Sequence, residues 1–488
     1  MRCLMKSLAV AAAILAPAET GSAAPAPTLS PWVQGFVKVQ APIVALTHVR
    51  VIDGTGAPAR EDQTLIISAG KIAAVGNAAS VLVPKGAKVA DLSGETVIPG
   101  LVGMHEHMFY SNGWGIFTEM PISFPLLYLA GGVTTVRTAG TFEPDTDLDI
   151  KRRVDTGQMP GPKMHLTGPY LDGAGGWSMQ MHILSGPEDA VRTVNYWLDE
   201  GIEGFKAYQY ITPSELKAAT DAAHKRGATI TGHLCSIGFR EAAALGIDNI
   251  EHGLITDTEF YPEKKPGECP QTSKGLELLA KLDVNSGPVN DMIVDLVQHH
   301  VAITSTLAVF EMSLPGRPTI QQRVLDAMTV EARADFLAGK VAAADIATQH
   351  KQYGDEPPPY PAVFKKEMEF ELAFVKAGGH LMAGVDPTGP GGVLPGYGDQ
   401  REVELLVEAG FTPVQAIRIA TLNGAKFLRI DKLTGSIAAG KDADLVVIRG
   451  DPSRQISDIE NVDTVFKDGI GYDATKIADS VRGMVGTR

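Results

Sequence analysis

The chain has 488 residues, of which 44% are hydrophobic and 20% charged, a size and balance suited to a soluble enzyme larger than one small domain. The 43 basic residues are outnumbered by 57 acidic ones, for a formal net charge of −14, which argues against nucleic acid as a partner. Beyond the first residues, no apolar run approaches the ~18 residues a membrane-spanning helix needs.

The N-terminus reads as an export signal. Arg2 and Lys6 precede the short apolar run Leu8 to Ala16, and Ser22-Ala23-Ala24 supplies a small-residue cleavage site. Residues 1–24 are therefore expected to be removed, and the mature protein to be periplasmic or secreted. Cys3 leaves with the signal. Cys235 and Cys269 remain, and two free thiols are the expectation, although an oxidising compartment would allow one bridge.

From about Ala45 to Val97 the pattern is strand-rich. Thr64–Ser68 and Lys71–Val75 flank Ala69-Gly70, where glycine permits the positive φ of a tight hairpin turn. A second strand-rich piece runs from Gly435 to about Tyr472 and holds the β-branched run Asp444–Arg449. Neither piece can bury a core alone, so residues 43–97 and 432–472 are expected to pair into one small β-sandwich domain.

Between them, across residues 98–431, short apolar strands alternate with helical stretches. The strands are the run ending at Met104-His105, then Val133–Thr138, Lys163–Thr167, Gly204–Tyr208, Ala228–His233, Asn249–His252, Ala302–Leu307 and His380–Asp386. Ser214–Arg226 has helical spacing after the start signal Thr212-Pro213. Eight such repeats predict an α/β chain with a closed (β/α)8 TIM barrel. Residues 311–375, polar, helical and containing Pro357-Pro358-Pro359, read as an insertion over the barrel mouth.

The chemistry sits at the strand ends. In Val97-Ile98-Pro99-Gly100-Leu101-Val102-Gly103-Met104-His105-Glu106-His107, the two histidines are i and i+2 on a strand and face one side. Imidazoles suit borderline metals such as zinc. His233, His252 and Asp386 each close a later strand, and polar residues at C-terminal strand ends of a barrel converge on the active-site face. That convergence predicts a metal site. Lys206 lies near the end of Gly204-Phe205-Lys206-Ala207-Tyr208. Beside cations its amine would be held neutral, and a neutral amine reacts with carbon dioxide to give an anionic carbamate.

With these residues the sequence resembles the metal-dependent amidohydrolase superfamily, in its binuclear branch with a carboxylated lysine. The resemblance covers about residues 43–472, including Thr421-Leu422-Asn423-Gly424-Ala425 and the return strand from Gly435 to Leu445. It implies that His105, His107 and Asp386 hold one divalent ion and His233 and His252 a second, with N6-carboxylated Lys206 and a hydroxide between them. Zinc is the expected metal, while manganese, cobalt and iron suit similar ligands. Asp386 would be the catalytic proton shuttle, and the substrate an amide, either a dipeptide or a small N-acyl amino acid, as in the imidazolonepropionase-like and Xaa-Pro dipeptidase-like subgroup. Gly103 and Thr138 replace acidic residues frequent in the family, which bears on subgroup and substrate.

Two rivals use related sites: a lactonase or phosphotriesterase-like hydrolase with the same metal pair, and a deaminase. Deaminases usually lack the lysine and carry a glutamate shortly after the histidine at His233, where this chain has Leu234-Cys235-Ser236. Tyr208, His182 and Arg137 are the candidate substrate contacts; for Arg137 a salt bridge to a ligand-orienting carboxylate is the competing role. A homo-oligomer is left open.

Overall fold

The computed structural model describes residues 28–486 apart from 113–115, 177, 263, 271–273, 354–357 and 389–390, and without the side chains of 346–353. The expected signal segment lies outside the described residues. Among the described residues no helix is long and apolar enough to cross a membrane.

The two strand-rich pieces do join. Leu445–Arg449 pairs antiparallel with Glu95–Pro99, from Leu445 opposite Pro99 to Arg449 opposite Glu95. Arg60–Ser68 and Lys71–Asn77 form the expected hairpin, Ser68 opposite Lys71. Its turn needs two left-handed residues, and Ala69 (φ 51°) accompanies Gly70 (φ 76°) there. As expected, both chain ends contribute to one small β-rich domain, its nine strands joined by hydrogen bonds. Ile43–Val51 links it by pairing with Arg60–Ser68 on one edge and, in succession, with Lys88–Asp91 and Glu95–Pro99 on the other. One face covers its own apolar core, with Val44, Leu46, Leu65, Ile67, Val97, Leu445, Val447 and Phe466 all nearly inaccessible.

Apart from the short antiparallel pair Phe109–Ser111 and Phe117–Glu119, the remaining strands are parallel and interleaved with helices, in the manner of a TIM-type barrel. Leu101–Glu106, Val133–Thr138 and Lys163–His165 form one sheet; Thr167–Leu171, Gly204–Ala207, Thr229–Gly232, Asn249–Glu251, Ala302–Ser305 and Leu381–Ala383 form the other. Leu166 divides what the sequence suggested as a single third strand. At the opposite seam, the amides of Val385 and Asp386 both donate to the carbonyl of His105, tying the last strand's exit to the first strand. The predicted helix appears as Pro213–Lys225, started by a capping box in which the Thr212 hydroxyl and the Glu215 carboxylate each bond the other's backbone.

Residues 311–375 are largely helical, as expected: Gln322–Ala327, Val330–Tyr353 and Tyr360–Lys376. The last of these packs on the short turn Gly253–Thr256 that follows His252, so this segment reaches the catalytic end of the barrel. The free thiols expected at Cys235 and Cys269 are not found. The two are bonded as a disulfide with Cα atoms 4.9 Å apart, a spacing within the normal range for such a bridge. The fold brings them together across the loops after two adjacent strands, which spacing in sequence could not show.

Candidate metal centre

The first strand places His105 and His107 on one side, as i, i+2 geometry requires, and both are buried. His252 and Asp386 leave their strands in left-handed conformations, φ 71° and 50°. Such backbone is costly for non-glycine residues and clusters at functional sites; here both side chains join the His105 group. Gly384 lets the last strand approach closely, since a Cβ there would lie 2.3 Å from the His105 nitrogen. The segment Thr421-Leu422-Asn423-Gly424-Ala425 braces the same strands from below, with Asn423 Nδ2 donating to Leu381 O at 2.8 Å.

The resulting group is compact. Asp386 lies 3.3 Å from His107 Nε2, 3.8 Å from His105 Nε2 and 3.9 Å from His252 Nε2. The His252 ring is 4.6 Å from both the His105 and His233 rings. Lys206, 1% exposed, brings Nζ to 3.3 Å from His105 Nε2. Every residue expected at the site from sequence as a ligand is therefore here.

The hydrogen bonds on the outer side decide which lone pairs face inward. His105 Nδ1 donates to Glu251 at 2.8 Å, His107 Nδ1 to the Gly140 carbonyl at 3.0 Å, and His252 Nδ1 bonds the Thr306 hydroxyl at 2.8 Å. A neutral imidazole that donates from Nδ1 keeps its lone pair on Nε2. The Nε2 lone pairs of His105 and His107 thus face one carboxylate, with His252 Nε2 beside it, and His105, His107 and Asp386 are close enough to share one ion. His233 is arranged differently, with its Nε2 facing Gln209 at 3.2 Å. The donor set of imidazoles and carboxylate fits a borderline divalent metal.

Electrostatics agree with ligands kept deprotonated. Burial, helped by the charge of Lys206, lowers His105 to about 4 and His233 to about 3. Burial brings Lys206 down to about 8 against the opposing pull of Glu251 and Asp386. Burial would raise Asp386, but the neighbouring imidazoles, His105 first, hold it well below the ordinary carboxylate range.

Glu251 is the functional residue that sequence reading passed over. It is fully buried and accepts from His105 Nδ1 at 2.8 Å, Arg137 at 2.5 Å, Asn249 Nδ2 at 2.9 Å and the Thr231 hydroxyl. The signal was available: Asn249 and Glu251 are i, i+2 on a strand that ends at a ligand. Arg137 also donates to the Met104 carbonyl, so it lies beneath the imidazoles as the partner of a ligand-orienting carboxylate rather than at a substrate. Tyr208 does stand at the site, its ring 5.0 Å from that of His233. His182 is half exposed and paired with Asp189 at 3.1 Å at the start of the helix Pro187–Asp199. Gly103, where an acidic residue is frequent, leaves room for Glu106, whose Oε1 would lie 2.5 Å from a Cβ built there.

A parallel barrel with buried imidazoles and a carboxylate at its strand ends defines a class of metal-binding barrel protein. Residues 374–470, which include Asp386 and the return strand, match the amidohydrolase family. That match is confined to the C-terminal part of the barrel and the return into the β-rich domain. Short stretches are similar to an adenine deaminase of Methanococcoides burtonii (34% identity over 86 residues) and adenine deaminase 1 of Desulfotalea psychrophila (48% over 46 residues). These span only 13% and 8% of those proteins and 17% and 9% of this chain. In fold, the chain is similar to an Xaa-Pro dipeptidase with bound methionine (20% identity, 88% of this chain and 100% of that one, TM-score 0.63). It is also similar to a bottromycin amidohydrolase (19% identity, 93% of each chain, TM-score 0.66) and to A. niger ochratoxinase (18%, 91% and 99%, TM-score 0.61).

Proposed function

We propose that the protein is an exported metal-dependent hydrolase that opens an amide-type C–N bond in a small substrate. One observation supports this above the rest: the Nε2 atoms of His105, His107 and His252 surround Asp386, with His233 and the buried amine of Lys206 beside them. In this reading His105, His107 and Asp386 hold one divalent ion, zinc by default, and His233 and His252 a second. Lys206, lowered to about 8 by burial, is then the residue to be carboxylated and to bridge them. When bound, such ions supply Lewis-acid polarisation of a carbonyl and acidify water.

The chain's own residues do the rest. Asp386, kept ionised by its imidazole neighbours, accepts the proton of the attacking water and delivers it to the departing nitrogen, which cannot leave as an amide anion. Glu251 fixes the His105 ring, and burial of the site strengthens each of these interactions. The Cys235–Cys269 bridge supports an oxidising, extracytoplasmic setting.

A deaminase reading draws on the short adenine deaminase likenesses. Against it stand Lys206 among the imidazoles and Cys235, committed to a disulfide two residues after His233. Incubating the metal-loaded protein with dipeptides, N-acyl amino acids, lactones, phosphotriesters and adenine separates the readings. Release of free amine or amino acid is expected. Turnover confined to lactones and phosphotriesters, or ammonia from adenine alone, would contradict the proposal.

A further inference from the structure

Beside the metal centre lies an open cavity of about 930 Å³, bordered by His233 itself. That volume is at the upper end of small-molecule pockets, ~300–1,000 Å³. Its walls come from four separate parts of the chain. Leu234 follows the ligand, Ile255 and Tyr261 lie on the loop after His252, Phe310 follows the strand Ala302–Ser305, and Tyr360 and Phe364 come from the helix Tyr360–Lys376. Phe310 also packs edge-on against His252, ring centres 5.5 Å apart, so the cavity is continuous with the imidazole group.

The charge of the lining is as informative as its shape. Among the described residues that line it, none is Lys, Arg, Asp or Glu. The nearby Lys264 is turned to backbone, donating to the carbonyls of Ser236, Lys265 and Glu268. The described lining therefore offers no Lys or Arg as counter-ion to a carboxylate. Its polar groups are neutral, among them Gln209 beside His233, the Thr256 and Thr258 side chains and Ser313. The Cys235–Cys269 bridge forms part of the wall, and Thr258 donates to the Cys235 carbonyl at 2.7 Å.

We infer that this cavity selects substrates that carry a bulky, uncharged, apolar or aromatic group on one flank of the scissile bond, with Phe364 and Tyr360 as specificity-determining residues. The inference rests on the hydrolase reading and narrows it: a free amino-acid carboxylate belongs on the other flank. Burial of aromatic surface against Phe310, Phe364 and Tyr360 is the source of the selectivity.

Two readouts test it on the full, metal-loaded chain. The first is binding of the neutral fluorophore 2-naphthol. The second is kcat/KM within two matched pairs, N-(2-naphthoyl)glycine against N-acetylglycine and glycyl-2-naphthylamide against glycyl-methylamide. The bulky member of at least one pair is expected to be preferred by on the order of 100-fold, and Phe364→Ala to cut that ratio about tenfold. Tyr360 is 38% exposed, so Tyr360→Ser keeps the test open should Phe364→Ala fail to fold; it is expected to weaken 2-naphthol binding and lower the same ratio. Hydrolysis of all four amides without preference overturns the inference and leaves the hydrolase reading standing. Binding of 2-naphthol that Tyr360→Ser weakens, with no amide hydrolysed, supports the cavity assignment and removes the hydrolase reading. Absence of 2-naphthol binding overturns the inference.

Discussion

Glu251→Gln keeps the shape of the side chain and removes its charge, which isolates what that charge does. In the folded chain Glu251 is 0% and Arg137 4% exposed, and their closest atoms are 2.5 Å apart. The charges of Arg137, His105 and Lys206 hold its carboxyl well below the usual range despite burial. Breaking a buried pair of this kind by neutralising one partner costs roughly 3–5 kcal/mol, because the other charge is left uncompensated. Loss of the carboxylate that orients a metal-ligating histidine typically costs about 10–100-fold in metal affinity or activity. Competition with a chelator measures the affinity, and urea unfolding of metal-free protein measures the stability. Unchanged metal affinity, together with a stability change of under about 0.5 kcal/mol, the range of neutral surface substitutions, would refute the role given to Glu251.

Three further outcomes are expected. Gly384→Ala would place a Cβ 2.3–2.7 Å from the backbone and Cβ of His105, so metal content should fall sharply although no ligand is altered; full occupancy by elemental analysis would count against the tight seam. Replacing both Cys235 and Cys269 by Ser opens a loop of 34 residues and should lower stability by about 3–4 kcal/mol in the chain-entropy view, measured by urea unfolding under oxidising conditions. Burial pushes Glu367 up to about 8 and Glu402 to about 7, and their neighbour Glu371 well above the ordinary value. The folded chain then holds protons that the unfolded chain has lost, so these groups stabilise least at high pH. Stability should decline as pH rises from about 5 to 8, and Glu367→Gln should flatten that decline; a parallel pH profile in the variant would argue against it.

Much of the site was legible because its residues sit at strand ends, where alternation and barrel geometry leave few directions for a side chain. His105, His107, His233, His252, Asp386 and Lys206 were found that way, and all meet. Glu251 was missed because a buried carboxylate next to a ligand reads as one more polar strand residue until its four donors are seen. The disulfide was missed for a related reason: the contact between the loops carrying Cys235 and Cys269 is made by the fold and leaves no local pattern. His182 was a candidate substrate contact, yet its ring is paired with Asp189.

The central claim is that the imidazoles, Asp386 and Lys206 hold two ions between them. Anomalous diffraction at the metal edge from crystals of the metal-loaded protein tests it most directly. The account predicts two peaks, one about 2.0–2.2 Å from His105 Nε2, His107 Nε2 and Asp386, the other at the same distance from His233 and His252, with extra density on Lys206 Nζ joining them. A single peak away from Asp386, or Lys206 turned out of the cluster, would contradict it.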